Sequence, residues 1–180
     1  MRNLFRFCSA VAFAALVSAF LPSCLESDVE DYEDWRLENE NYLDTVNLTD
    51  YETVVPDWAP MNRVYVRWHN DRALTASNLR PISTSTVRVK YEMEDINGTN
   101  LGNSYASTTY GDSIYQSTPN QNIIGFWAAL TAMNVGDSVT MIIPYSSAYG
   151  SQARGNIKPY SNLIYHVKLT EVVAYEKPYE

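Results

Sequence analysis

Between Ile123 and Val172 the chain sets Phe126, Tyr149 and Tyr165 among glycines and short loops, with almost no ionisable group among them. Aromatic rings supply large apolar area, and a tyrosine adds one hydroxyl. That combination suits a small dry pocket carrying a hydrogen-bond donor. It suits acid–base catalysis poorly, because such catalysis needs a positioned group that titrates near the working pH. Residues for other chemistries are few. His69 and His166 are the only histidines and lie far apart along the chain, and the only cysteines are Cys8 and Cys24. Zinc normally takes three or four ligands, so no metal site is expected. No P-loop, GxGxxG, GxSxG or HExxH run occurs, so neither a cofactor nor a nucleophilic triad is expected.

Patterning predicts the elements that must hold these aromatics. Val64, Val66 and Trp68 alternate with Tyr65, Arg67 and His69; Val87, Val89 and Tyr91 alternate likewise, as do Leu163, Tyr165, Val167 and Leu169. Such alternation marks strands. Asn97-Gly98 predicts a tight turn inside a hairpin. A short apolar helix is expected at about 125–133, entered through Gly125 and left before Gly136. A strand ending at Pro144 follows, then a loop presenting Tyr149 beside Gly150, and a last strand from Leu163 to Val173. One helix set between strands, with no internal repeat, gives an α+β class.

Taken in order, Ile123, Gly125, Phe126, Met133, Gly136, Pro144, Ala148, Tyr149, Gly150, Pro159, Leu163 and Tyr165 form a pattern that resembles the FKBP-type peptidyl-prolyl cis-trans isomerases. The resemblance runs from Val87 to Val172, about half of the chain. It implies an FKBP-like twisted antiparallel sheet wrapped around one short helix. It also implies a pocket in which Phe126 takes the floor position under a proline ring, where tryptophan is usual. Tyr91 would form a wall and Tyr149 would donate its hydroxyl; these three are the expected catalytic residues. Ile123 would lend its backbone N–H to a substrate carbonyl, with Tyr165, Leu101, Ile157 and Asn122 as further substrate contacts. Two departures stand out. Leu101-Gly102 replaces the usual Phe-Asp, so the pocket carboxylate is missing, and Asn122 replaces a valine. The flap around Ser113–Asn120 has no assigned counterpart, though Tyr115 is placed to reach inward.

The N-terminus is of a different kind. Arg2 and Arg6 precede an apolar run from Phe7 to Leu21, then Pro22-Ser23-Cys24. A spanning helix needs about 20 apolar residues; a basic flank, a shorter apolar core and small residues describe a secretory signal over 1–23. Leu21-Pro22-Ser23-Cys24 resembles a bacterial lipobox, which implies lipidation of Cys24 and a membrane anchored through it. Loss of the leader removes Arg2 and Arg6, leaving eleven basic against 21 acidic residues. Residues 24–44 carry nine of those acids against Arg36 alone, a net of −8, so the remainder is near neutral. Such a chain lacks the basic face that nucleic acid requires. Val29, Tyr32, Trp35, Tyr42 and Val46 recur mostly on one helical face, predicting an acidic amphipathic helix over 28–45 whose Tyr/Trp stripe packs on its own domain or on a partner. The acidic run resembles export tags that carry some lipoproteins to the outer cell surface; a solvated tether is the alternative. Asn47–Pro60, with Pro56 and Pro60, is read as linker.

The domain reading is therefore a signal over 1–23, an acidic helix and linker over 24–60, and an FKBP-like domain over 61–175. On that reading a chain starting near Pro56 folds by itself. The expected function is peptidyl-prolyl cis-trans isomerisation, assisting the folding of proline-containing envelope or exported proteins. The expected protein is a monomer in the bacterial cell envelope, lipid-anchored at the outer membrane on its periplasmic or surface face. The alternative is a catalytically weak FKBP-fold lipoprotein that binds proline-bearing peptides or a protein partner. A carbohydrate-handling surface lipoprotein ranks behind both.

Overall fold

The computed structural model describes residues 27–106 and 113–175; the leader over 1–23 and Cys24 lie outside the described residues. In chain order the elements are α1 (Ser27–Thr45), β1 (Glu52–Val54), β2 (Val64–Trp68), β3 (Thr86–Glu94), β4 (Asn100–Asn103), β5 (Tyr115–Ser117), α2 (Ile124–Ala132), β6 (Ser138–Ile143) and β7 (Leu163–Ala174). The strands form one sheet in the order β1-β2-β6-β7-β3-β4, with β5 also paired to β3. Every pairing is antiparallel. This is the expected α+β architecture.

Period-two burial explains why the strands face as they do. Val64 and Val66 on β2, Val87, Val89 and Met93 on β3, and Leu163, Tyr165, Val167 and Leu169 on β7 all turn inward. The register between β3 and β7 shifts at Arg88/Val89, so that Glu171 pairs with Arg88 while Leu169 pairs with Val89. Thr170 is the extra residue, and its hydroxyl donates to the Arg88 carbonyl at 2.8 Å. The bulge moves the inward parity from Leu169 to Val172, which is also buried. An extra residue of this kind bends a strand and increases local twist.

The inner sheet face packs on α2, whose sequence IGFWAALTA is apolar nearly all round, as suits a helix covered on most sides. Gly125 sets how closely it lies: a Cβ there would stand 2.4 Å from Ile143 Cγ2. On the far side Trp127 stacks on Trp58, ring centroids 3.6 Å apart, and donates its Nε1–H to Ser83 Oγ at 3.1 Å. Strand β1 falls within the stretch 47–60 read as linker; it extends the sheet by pairing Glu52–Val54 with Val64–Val66.

The acidic helix α1 is docked on the domain. Trp35 is 8 % exposed and donates its indole N–H to Ser161 Oγ at 3.0 Å. Asn39 is fully buried. Its amide donates to the Trp35 carbonyl at 2.8 Å, its Oδ1 accepts the Asn162 N–H at 2.8 Å, and its carbonyl accepts from Asn162 Nδ2 at 2.6 Å. Asn162 Oδ1 in turn accepts the Tyr145 N–H at 2.9 Å. The buried face therefore runs through Trp35 and Asn39, while Tyr32 is 37 % exposed.

Candidate functional site

Six parts of the chain meet around a cavity of about 600 Å³. Tyr91 and Met93, two apart on β3, present their side chains to the same side; Met93 lies opposite Tyr165 of β7 in the register. Phe126 comes from the first turn of α2, Tyr149 and Arg154 from the loop after β6, and Tyr115 from β5. Gln121, Asn122 and Ile123 close the remaining side.

Phe126 is 3 % exposed and its ring centroid lies 5.0 Å from that of Tyr165, tilted by 49°. Tyr91 lies 5.9 Å from Tyr165 and meets Tyr115 edge-on at 5.5 Å. These offset and tilted arrangements are the ones aromatic quadrupoles favour. Together they make an apolar floor and wall.

Two of the places that offer hydrogen-bond donors to the cavity bear on its chemistry. Burial pushes the Tyr149 hydroxyl above its ordinary pKa of 10.0, with Arg154 opposing the shift. Burial likewise raises Tyr165, with the neighbouring Tyr149, Tyr91 and Tyr115 adding to it. Both hydroxyls therefore keep their protons throughout the neutral range. The second place is the start of α2. The first N–H groups of a helix have no intrahelical acceptor, and Ile123, the residue at that N-terminus, has no side-chain cap to occupy them.

The structure brings Tyr91, Phe126, Tyr149, Ile123, Tyr165 and Asn122 to this cavity. Asn122 lines it but turns its amide into the preceding one-turn helix, donating to Ser117 Oγ at 2.9 Å and to the Thr118 carbonyl at 2.8 Å. Its role there is to shape the entry to α2. Leu101 and Ile157 do not line the cavity. Ile157 is 6 % exposed within the core, and the Leu101 carbonyl accepts from Asn156 Nδ2 at 3.2 Å. They fix the loop that follows Tyr149. Sequence reasoning missed Met93, although its place two residues after Tyr91 on an alternating strand was the signal for it. It also missed Gln121 and Arg154, for which alternation gives no cue.

Acid–base machinery is absent from the described lining. Asp137, the one fully buried carboxylate among the described residues, is engaged by Thr75 Oγ1, Asn70 Nδ2 and the Asn134 N–H. The two histidines meet on Thr140, with His69 Nε2 2.7 Å and His166 Nδ1 3.0 Å from its hydroxyl. Neither lines the cavity. Among the described residues no group of three or more His, Cys, Asp or Glu side chains is placed to hold a metal.

Comparison with known proteins follows the same outline. The family model described as FKBP-type peptidyl-prolyl cis-trans isomerase matches residues 78–170. The FKBP-type 22 kDa peptidyl-prolyl cis-trans isomerase of Escherichia coli (strain K12) is 35 % identical over 99 residues, which are 52 % of this chain and 44 % of that protein. The chain thus spans less than half the length of this curated relative. FkpA from Escherichia coli superposes with a TM-score of 0.60 at 20 % identity, covering 81 % of this chain and 61 % of that one. A peptidyl-prolyl cis-trans isomerase from Pseudomonas syringae pv. tomato DC3000 gives 0.59 at 17 % identity, covering 79 % and 94 %. At these identities the two structures speak to fold.

Proposed function

The chain belongs to the FKBP-type peptidyl-prolyl cis-trans isomerase family, and from that premise we propose that it catalyses cis–trans isomerisation of X–Pro bonds in polypeptide substrates. The observation that carries the reading is the aromatic cavity itself: a Phe126/Tyr165 floor with a proton-bearing Tyr149 hydroxyl at its edge. Rotation about the X–Pro amide faces a barrier of about 18–20 kcal/mol because the planar form is resonance-stabilised. Its two end states differ by only about 0.5–1 kcal/mol. No bond is broken and no proton need move. The catalyst has only to bind the twisted amide better than the planar one. A dry cavity does so, since the planar amide has the larger dipole and loses more on leaving water. In this reading Phe126 floors the proline ring, Tyr91 and Tyr165 exclude water, and Tyr149 and the Ile123 N–H hold substrate carbonyls.

Tyr149→Phe removes one hydrogen bond, worth about 0.5–1.5 kcal/mol net, and is expected to lower kcat/KM by up to roughly tenfold. Because the Tyr149 pKa lies above 10.0, its donor form is fully present below that value and is lost only as pH rises past it. The rate is therefore expected to be flat between about pH 6 and 8, and unchanged by His69→Ala. An isomerase assay on proline peptides checks all three. A bell-shaped profile lost in His69→Ala would sink the mechanism. Wild-type protein that binds such peptides without turnover would leave the alternative of a proline-peptide binding module, favoured by the absence of any carboxylate from the described lining.

Location is part of the same proposal. The support is the leader ending Leu21-Pro22-Ser23-Cys24 and the acidic stretch after it. The proposed protein is a monomer anchored through a lipid on Cys24 in the bacterial envelope, at the outer membrane, and its clients are proline-containing envelope or exported proteins. Cys24→Ala is expected to move the protein from detergent-extracted membrane fractions to soluble ones, or to leave the precursor uncleaved. Unchanged acylation and membrane retention in that variant would overturn the anchor.

A further inference from the structure

Among the described residues lining the cavity, Arg154 is the only charged side chain. Its guanidinium carbon sits 5.9 Å from the centre of the Tyr149 ring. A cation over an aromatic face is held by the ring's quadrupole, which leaves the N–H edge of the guanidinium open. No salt bridge reaches Arg154 among the described residues. Gly102 on β4, paired with the cavity residue Met93, carries no side chain, so that position supplies no carboxylate.

The backbone fixes where that charge stands. Arg154 and Ile157 exchange both backbone hydrogen bonds at 2.9 Å around the two-residue turn Gly155-Asn156. Gly155 has φ +57°, a left-handed conformation that glycine adopts without a Cβ penalty. Ile157 is buried, and Asn156 Nδ2 is tied to the Leu101 carbonyl of β4. The loop is therefore pinned at two points beyond Arg154, and the residue that opens its turn projects at the cavity rim.

We propose that Arg154 is a specificity determinant that favours substrates carrying an acidic side chain on the residue preceding proline. This rests on the isomerase reading of the cavity. The carbonyl of the rotating amide belongs to that preceding residue, and Tyr149 is the side chain proposed to hold it. The same residue's side chain then emerges beside Tyr149, where Arg154 stands. A guanidinium binds a carboxylate with two parallel hydrogen bonds, a geometry that neither a neutral amide nor an ammonium offers. The rim is solvent-exposed, so the preference is modest, about two- to fivefold, the range given by exposed ion pairs.

The test uses peptides blocked at both termini that differ only in Glu, Gln or Lys before proline. Wild-type protein is expected to turn over the Glu–Pro peptide about two- to fivefold faster in kcat/KM than the Gln–Pro peptide. In Arg154→Gln that ratio should fall to about one, and in Arg154→Glu the Lys–Pro peptide should become preferred over Glu–Pro. A merely structural role for Arg154 would lower all three rates together and leave the ratio, which overturns the proposal. Chemical-shift titration of the same peptides separates this inference from the isomerase reading. A Glu/Gln affinity ratio lost in Arg154→Gln, with no turnover of any peptide, keeps Arg154 and removes the isomerase. Turnover with a ratio indifferent to residue 154, or a wild-type ratio of one in both assays, removes the Arg154 preference.

Discussion

Phe126→Ala is expected to cost this protein more activity than any other single change in the cavity. The ring is 3 % exposed and packs on Tyr165 at 5.0 Å. Its removal opens the floor to water, and fully burying a Phe side chain is worth about 1.5–3 kcal/mol. Transferred to the transition state, a loss of that size lowers kcat/KM by about 10- to 150-fold. The same truncation leaves a cavity in the core and is expected to destabilise the fold by about 3–5 kcal/mol. Phe126→Leu separates the two effects. It keeps most of the buried volume, so stability should fall by under about 1.5 kcal/mol, while the flat surface under the proline ring is still lost. Rate and denaturant midpoint measured on both variants decide the matter. A Phe126→Leu protein with wild-type rate would mean that Phe126 only fills the core.

The second large effect is expected far from the cavity. Trp35→Ala should destabilise the folded state by about 3–5 kcal/mol, lowering Tm by roughly 2–4 °C for each kcal/mol. The surface ion pairs of α1, Arg36 with Glu33 and Glu40, are exposed and contribute little. The Trp35 indole and the Asn39–Asn162 clasp hold the helix instead. Asn39→Ala leaves the buried Asn162 N–H without its acceptor, at a cost of about 1–3 kcal/mol. A chain starting near Pro56 loses these contacts and also β1. Reading α1 as a tether predicts that such a chain melts like the full one; the docking predicts a clearly lower Tm. Calorimetry on the truncated and full chains distinguishes them, and equal Tm values would show that the docking contributes nothing.

Much of the sheet was legible because its signals are local. Val64/Val66, Val87/Val89 and Leu163 to Leu169 alternate in sequence and alternate in burial. The apolar segment that became α2 needed only its composition and its Gly125 entry. The cavity residues Tyr91, Phe126, Tyr149 and Tyr165 came from an ordered family pattern, and the fold brings all four together. What stayed hidden depends on partners distant in the chain. Nothing around Asn39 announces that Asn162, 123 positions later, would supply its hydrogen bonds. Strand β1 is three residues long and ends two residues before Pro56, too short to show a period. Leu101 and Ile157 were placed at the cavity by position in a motif, yet a tight turn and one amide–carbonyl bond assign them to holding the loop. Arg154 sits in a loop of small and polar residues, where only geometry gives a lone cation meaning.

The rims of the sheet have a bearing on how such a protein meets its substrates. On the proposed function the protein works among extended chains, and any open strand offers them a row of unpaired N–H and C=O groups to join. Among the described residues the outermost strands are β1 and, on the other side, β4 and β5, of three, four and three residues. Glu52 puts a charge on β1 and accepts the Trp68 indole N–H at 2.8 Å, while β4 reads Asn-Leu-Gly-Asn. Rims this short and polar give a passing chain little to zip onto. On the proposed function, capture falls to the aromatic cavity, which can release a bound peptide once its proline has turned, and co-aggregation through added strands is disfavoured.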